Sequence, residues 1–288
     1  MAEVGRSLVC PVNVSEGRRI AVLDQLASAA GSALLDLHHD PHHNRAVLTI
    51  GASDATGTET AVRRVAELAV TLLDVRRHQG VHPRLGVVDV VPFVPVDESG
   101  APAGPGDDLA VAIAARDRFA AWAAQALRLP CFVYGPERTL PDVRRRAFDG
   151  LQPDVGPQSR HPSAGACAVG ARAALVAFNV WLDSPDVAIA RSIAAAIRGP
   201  AVRALGLDVG GQAQVSCNLI DPFSTGPAAV LQQVSARAVQ AGVGVDRAEL
   251  VGLAPLAVVE ALEPATRARC DLDRDRTFEA RLARARAR

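Results

Sequence analysis

Apolar and polar positions along the chain fall into two blocks with the same order of elements. Residues 7–13 form an apolar run that reads as a strand, and Ser15 stands where it can cap a helix over about residues 18–30. Residues 33–37 and 46–50 predict two further strands. A second helix is expected over about residues 58–78. Its Val62, Val65, Ala69, Leu72 and Leu73 recur at helical spacing, and Gly80 is placed to end it. The β-branched run at residues 87–94 predicts a fourth strand. The order is β-α-β-β-α-β.

The second block repeats that order without evident sequence identity to the first. Strands are expected at residues 174–181, 202–207, 214–220 and 249–253, and helices at 185–198 and 227–241, with Pro185 in the first turn of its helix. Between the blocks, residues 97–108 are rich in Gly, Pro and Asp and read as a surface loop. An Ala-rich helix at 108–127 and a short strand at 131–134 follow. Residues 153–165 predict an ordered, irregular, Pro- and Gly-containing loop of the kind that often carries function. Residues 273–288 predict a helix whose arginines (274, 276, 281, 284, 286 and 288) read as a solvated face. The fold class expected is α+β, with two subdomains of β-α-β-β-α-β type.

Composition narrows the function. In 288 residues, 31 Lys+Arg balance 31 Asp+Glu, so the chain lacks the basic excess of a nucleic-acid or anionic-membrane binder. No apolar run has the length of a membrane span. The polar start at residues 1–6 does not read as a signal peptide. Cys10, Cys131, Cys167, Cys217 and Cys270 are scattered, and most sit in apolar contexts, which suits core residues of a cytoplasmic protein.

Gly80-Val81-His82-Pro83-Arg84-Leu85-Gly86 is the most informative stretch. It places an imidazole in a tight turn at the mouth of an apolar strand, a position suited to proton transfer near neutral pH. A capped helix end carrying a merely solvated His82 fits the same spacing. His38, His39, His42 and His43 fall around one turn with Asp40, Pro41, Asn44 and Arg45. That spacing matches no zinc signature, and no metal is expected; Asn44 and Arg45 suit a substrate carboxylate better. Arg45, Arg84 and Arg172 each stand near an element end, where an arginine can clamp a carboxylate or form an ordinary surface pair. There is no G-x-S-x-G and no P-loop, and residues 206–211 do not make a dinucleotide fingerprint.

Taken in order, several segments resemble the formiminotransferase domain of glutamate formimidoyltransferases. Pro11-Val12-Asn13-Val14-Ser15-Glu16-Gly17-Arg18 is similar to the family's P-N-x-S-E-G-R signature with one residue inserted. The other matching segments are Asp40-Pro41-His42-His43-Asn44-Arg45, His82-Pro83-Arg84-x-Gly86 with Asp89-Val90-x-Pro92-Phe93-x-Pro95, and His161-Pro162-x-Ala164-Gly165 with Val169-Gly170-Ala171-Arg172. To these are added Ala177-Phe178-Asn179, Gln214-Val215-Ser216-x-Asn218 and Glu249-Leu250-Val251-Gly252-Leu253-x-Pro255.

The resemblance implies an N-terminal subdomain at 1–172 and a C-terminal subdomain at 173–288, with sheets facing each other, helices outside and a folate tunnel between them. It implies a homodimer without a fused cyclodeaminase domain. It also implies transfer of a formimino group from N-formimino-L-glutamate to N5 of tetrahydrofolate, in histidine degradation and one-carbon metabolism. The catalytic histidine would be His82. Substrate would be held by Asn13, Asn44, Arg45, Arg84 and Arg172. Folate would lie along Gly156, Pro157, Gln158, Ser159, Arg160, His161, Pro162, Ser163, Ala164 and Gly165. The rival readings are a relative using another one-carbon donor, such as N-formylglutamate, and a catalytically silent folate-binding homologue. Departures from the family pattern fall at residues 38–40, 139–153 and within 156–165.

Overall fold

The computed structural model describes residues 7–287. The expectations for residues 1–6 and for Arg288 lie outside that range. The chain forms two compact units, one of residues 7–103, 107–172 and 282–287, the other of residues 104–106 and 173–281.

The first unit is built on a β-α-β-β-α-β core: β1 (Ser7–Val14), α1 (Ile20–Ala30), β2 (Leu34–Asp40), β3 (Arg45–Gly51), α2 (Ala55–Leu72) and β4 (Val88–Val96). After it come α3 (Ala110–Ala126), β5 (Cys131–Tyr134), α4 (Leu140–Arg146) and β6 (Cys167–Ala171). The six strands lie in the order β2-β3-β1-β4-β6-β5. Neighbours are antiparallel from β2 to β4, and β6 and β5 extend the sheet in parallel.

Side chains alternate across a sheet. Leu8, Cys10, Val12, Leu48, Ile50, Val91, Phe93, Cys167 and Val169 share one buried cluster with Leu23, Leu26, Val62, Val65 and Phe119 of α1, α2 and α3. The opposite face carries Asn13, Arg45, Val90, Ala168 and Gly170. At its β6 end, Val90, Phe132, Tyr134, Ala166 and Ala168 pack with Val143 and Ala147 at α4.

The second unit has β7 (Val176–Leu182), α5 (Val187–Ile197), β8 (Val202–Val209), β9 (Gln212–Leu219), α6 (Pro227–Gln240) and β10 (Val245–Val251). Its four strands run β10-β7-β9-β8, all antiparallel. This is the spatial order that β4-β1-β3-β2 has in the first unit, so the α+β expectation of two like subdomains holds. Its core joins Phe178, Val180, Val215 and Leu219 to Ile193, Val230 and Val234 of the helices. Three short helices close the chain: α7 (Leu256–Glu260), α8 (Pro264–Arg269) and α9 (Phe278–Arg286).

Several local expectations are corrected. Ser15 does not cap α1: its hydroxyl donates to the Gly86 carbonyl at 2.8 Å, and Glu16 Oε1 accepts the N–H groups of Arg18 and Arg19 instead. The helix expected to reach residue 78 stops at Leu72, because Asp74 caps a separate 3-10 turn, Val75–Arg77. Gly80 is therefore not its cap. Pro185 precedes α5, which Asp186 caps. The tail is broken before Phe278 by a second Asp-capped turn, Arg274–Arg276. Strand β6 and helix α4 went unpredicted, although Thr139 and Asp142 form a reciprocal capping box. All five cysteines are free and buried, and burial pushes the thiols of Cys131 and Cys217 up to about 12. No helix among the described residues is long and apolar enough to cross a membrane.

Candidate active site

The residues of the N-terminal signature hold two turns together. Gly17 has no room for a side chain: a Cβ there would stand 2.2 Å from the Asp40 carbonyl oxygen. Its N–H donates to Asn44 Oδ1 at 2.9 Å, while Asn44 Nδ2 donates to the Gln79 carbonyl at 3.0 Å. Asn44 sits at φ 48°, which asparagine tolerates better than most residues. Both ends of its amide thus fasten the turn, rather than facing outward as a directional substrate contact. The four histidines are not in one turn. His38 and His39 lie on β2, and only His42 and His43 belong to the reversal, where both backbone N–H groups donate to Asp40 Oδ1 at 2.7 Å.

The His82 turn is stitched from both sides. Ser15 reaches Gly86 and Val87, while Val87 N–H donates to the Ala164 carbonyl at 2.9 Å and Ala166 N–H to the Leu85 carbonyl at 3.1 Å. A Cβ at Gly86 would lie 2.2 Å from the Ala164 oxygen, so glycine is required for this approach. A Cβ at Gly80 would likewise meet the His43 oxygen at 2.2 Å. The His43 ring stands beside that of His82, with centroids 5.9 Å apart.

A β-bulge sets the charge cluster. Asn13 pairs with Val90, but Val14 pairs with Val88, leaving Asp89 as the extra residue. Bulges re-aim side chains in this way beside functional sites. Asp89 is fully buried. Its Oδ1 accepts Leu85 N–H at 2.6 Å, and its Oδ2 accepts Arg45 Nη1 at 2.6 Å and Arg144 Nη2 at 2.7 Å. Arg45 also donates to Asn13 Oδ1 through Nε at 3.1 Å and Nη2 at 2.8 Å. Burial alone would raise the Asp89 carboxyl, but the two guanidinium charges and these hydrogen bonds hold it well below the usual carboxylate range.

His82 is half-buried, and its Nδ1 lies 2.8 Å from the Pro83 carbonyl oxygen. That oxygen also accepts Arg144 Nη1 at 2.9 Å. A carbonyl only accepts, so this contact calls for a proton on Nδ1, and in the neutral ring Nε2 then keeps its lone pair. Burial, and then the charges of Arg45 and Arg144, push the imidazole well below its ordinary value, against the opposing pull of Asp89 and the Pro83 carbonyl. These effects favour the neutral ring at neutral pH. Arg84 turns back on its own loop and donates to the carbonyls of Gly80 and His82.

The structure brings His82, Asn13 and Arg45 together and attaches the end of the folate-like segment to them. His161 and Gly165 pair through their backbones at 2.8 and 3.0 Å, and His161 Nδ1 accepts the Ala164 N–H at 2.9 Å. Residues 158–160 are exposed, with the Arg160 guanidinium 4.4 Å from the Phe148 ring centroid. Arg172 stands apart. It follows β6 beyond the Phe93–Ala171 pair, about 16 Å along the sheet from Asp89 at ~3.3 Å per residue. There it bonds the buried Tyr134, whose hydroxyl burial pushes up to about 12. Tyr134 lies where a Gly170 Cβ would be, 2.1 Å from the ring.

Sequence reasoning missed Arg144, although the Thr139-x-x-Asp142 box marks the helix that carries it. It also gave Asn179, Gln214 and Glu249 no role. In the second unit Glu249 Oε2 accepts Asn179 Nδ2 at 3.1 Å and Trp181 Nε1 at 3.0 Å, and the amide of fully buried Gln214 has no hydrogen-bond partner.

Residues 7–172 match the formiminotransferase domain, N-terminal subdomain. The chain is 34% identical over 272 residues to the glutamate formimidoyltransferase of Streptococcus pyogenes serotype M1, covering 85% of this chain and 88% of that protein. It is 31% identical to the glutamate formimidoyltransferase of Thermoplasma acidophilum, over 85% and 87% of the two chains. With the formimidoyltransferase-cyclodeaminase of Rattus norvegicus it shares 33% identity, over 92% of this chain but 52% of that protein. The chain belongs to the formiminotransferase family.

Proposed function

We propose that this chain is a glutamate formimidoyltransferase, moving a formimino group from N-formimino-L-glutamate to N5 of tetrahydrofolate and releasing glutamate. The reaction serves histidine degradation and one-carbon metabolism, in the cytoplasm and, as in the family, from a homodimer. The two like units are its N-terminal (1–172) and C-terminal (173–288) formiminotransferase subdomains. The observation that carries the reading is His82, its Nδ1 2.8 Å from the Pro83 carbonyl oxygen, beside the pair of guanidiniums, Arg45 and Arg144, that converge on buried Asp89.

In this scheme the N5 lone pair attacks the amidine carbon and forms the new C–N bond. His82 Nε2 takes the proton that N5 must lose. It returns that proton to the glutamate nitrogen as the old C–N bond breaks, so one imidazole acts as base and then acid. Arg45 and Arg84 face the carboxylates of the donor, since the hydrogen bonds they make use only part of the five N–H donors on each guanidinium, and Asn13, whose Oδ1 accepts from Arg45, serves the substrate by holding that guanidinium. Asn44 serves through the turn it holds. Tetrahydrofolate, the co-substrate, lies along residues 156–165 and toward Arg172. These residues suit it: Gly165, at φ 76°, sits against the His82 turn, and the exposed Gln158, Ser159 and Arg160 offer polar contacts.

The test is an ultraviolet assay of purified protein with tetrahydrofolate, reading 5-formimino-tetrahydrofolate as the product from N-formimino-L-glutamate and 5-formyl-tetrahydrofolate as the product from N-formyl-L-glutamate. Product from the formimino donor is expected. Product only from the formyl donor, or from neither, contradicts the reading.

A further inference from the structure

We propose that Arg144 is the positioning residue for His82: its guanidinium fork fixes the Pro83 carbonyl against Asp89, and that carbonyl holds the imidazole as the Nδ1–H tautomer. The inference rests on the reading of His82 as the acid–base group.

The fork spans two acceptors that belong to different parts of the site. Nη1 meets the Pro83 oxygen at 2.9 Å and Nη2 meets Asp89 Oδ2 at 2.7 Å. Only a planar guanidinium presents two donors at this fixed separation, whereas a lysine ammonium is a single point charge. The helix that carries it is anchored independently. Thr139 and Asp142 form its capping box, and the fully buried Val143 packs it against Leu85, Val90 and Ala166. Arg144 is next in sequence to that anchor, so its backbone position is set by apolar packing.

The anchoring matters because Pro83 is exposed. Its carbonyl sits in a tight turn, and its direction decides which ring nitrogen of His82 carries the proton. With the carbonyl held, His82 Nδ1 donates to it at 2.8 Å and Nε2 remains the free base. Released, the peptide can rotate, and the ring loses its reason to keep one tautomer. Side chains held to within about 0.5 Å are what catalysis requires.

Charge acts beside geometry. The groups facing His82 are Arg45 from β3, Arg144 from α4, Asp89 from the bulge, Arg84 within its own turn, and the His43 ring. Removing Arg144 leaves the Arg45–Asp89 pair in place but takes away one of the two cations that oppose protonation.

The experiment reads the ring nitrogens of His82 by NMR in substrate-free enzyme with 15N-labelled histidine, titrated with pH in wild type, Arg144→Met and Arg144→Lys. Wild type should show the Nδ1–H tautomer. Arg144→Met should show a tautomer mixture and a titration midpoint raised by about one unit. Arg144→Lys should keep a low midpoint yet lose the single tautomer, which separates the fork from the charge. In turnover assays both variants should lose about 10-fold or more in kcat, with KM within about threefold. An unchanged His82 tautomer in a folded Arg144→Met protein overturns the proposal. If that variant does not fold, an unchanged tautomer in Arg144→Lys does so. The NMR readout needs no substrate, so failure of the transfer reaction would count against the proposed function and not against the positioning.

Discussion

Arg45 Nη1 lies 2.6 Å from Asp89 Oδ2, and this buried pair joins the end of the histidine-bearing turn to the bulge that follows His82. Asp89 answers two guanidiniums at once, since Arg144 reaches the same oxygen at 2.7 Å. Substituting Asp89→Asn leaves two half-buried guanidiniums without their counter-charge. We expect a loss of about 1–3 kcal/mol in urea unfolding at pH 7. The sign with pH follows from the depressed carboxyl. Asp89's contribution is fully present above its unfolded value, about pH 4, and is lost as pH falls through the lower folded value. The gap between wild type and Asp89→Asn should therefore narrow only below about pH 4. A gap that closes between pH 7 and 5 would speak against this assignment.

Gly80 tests the close packing of the two turns. An added Cβ would stand 2.2 Å from the His43 carbonyl oxygen, and the backbone must move to admit it. Gly80→Ala should cost about 1–3 kcal/mol, the usual range for overpacking. Because His43 neighbours His82, turnover should fall as well. Equal stability and activity in Gly80→Ala, measured by thermal melting and the transfer assay, would show that the turns are not coupled.

The acid side of the pH–rate profile follows from His82. Its neutral form is favoured in the fold by burial and by two cations. The acid limb of kcat/KM should then lie clearly below pH 6.5, the ordinary imidazole value. The same shift affects stability. Below about pH 6.5 the unfolded chain binds a proton that the folded ring refuses, so stability falls as pH drops from there toward the folded value. An acid limb at or above pH 6.5 would contradict the electrostatics of the site.

The histidine-rich segment around Asp40 is expected to serve without a metal. His38 and His39 sit on β2, the backbone of His42 and His43 is tied to Asp40, and His39 Nδ1 lies 3.2 Å from the Gly17 carbonyl. Activity should survive exhaustive dialysis against EDTA. Loss of activity that zinc restores would reverse this conclusion.

The fold was largely legible in the chain because strands such as β1 and β4 are apolar or β-branched runs, and helices such as α2 repeat apolar residues at helical spacing. What local pattern did not reveal depends on distant partners. Ser15 has the chemistry of a cap, yet its hydroxyl belongs to Gly86, 71 residues away. Gly80 has the chemistry of a helix end, yet it is required by the backbone of His43. His82 and Arg45 stood out as unusual residues in turns. Arg144 did not, because three successive arginines on a short helix look like a solvated face until the fold carries one of them to Pro83. The bulge at Asp89 was likewise invisible, since register exists only between paired strands.

The central claim is that His82 moves the proton in formimino transfer. The most direct measurement compares wild type and His82→Ala in steady-state formation of 5-formimino-tetrahydrofolate from N-formimino-L-glutamate, with circular dichroism confirming an unchanged fold. The account predicts turnover in wild type and a fall of about 10²-fold or more in the variant, as loss of a general acid–base group requires. Wild-type turnover in a folded His82→Ala protein would contradict it.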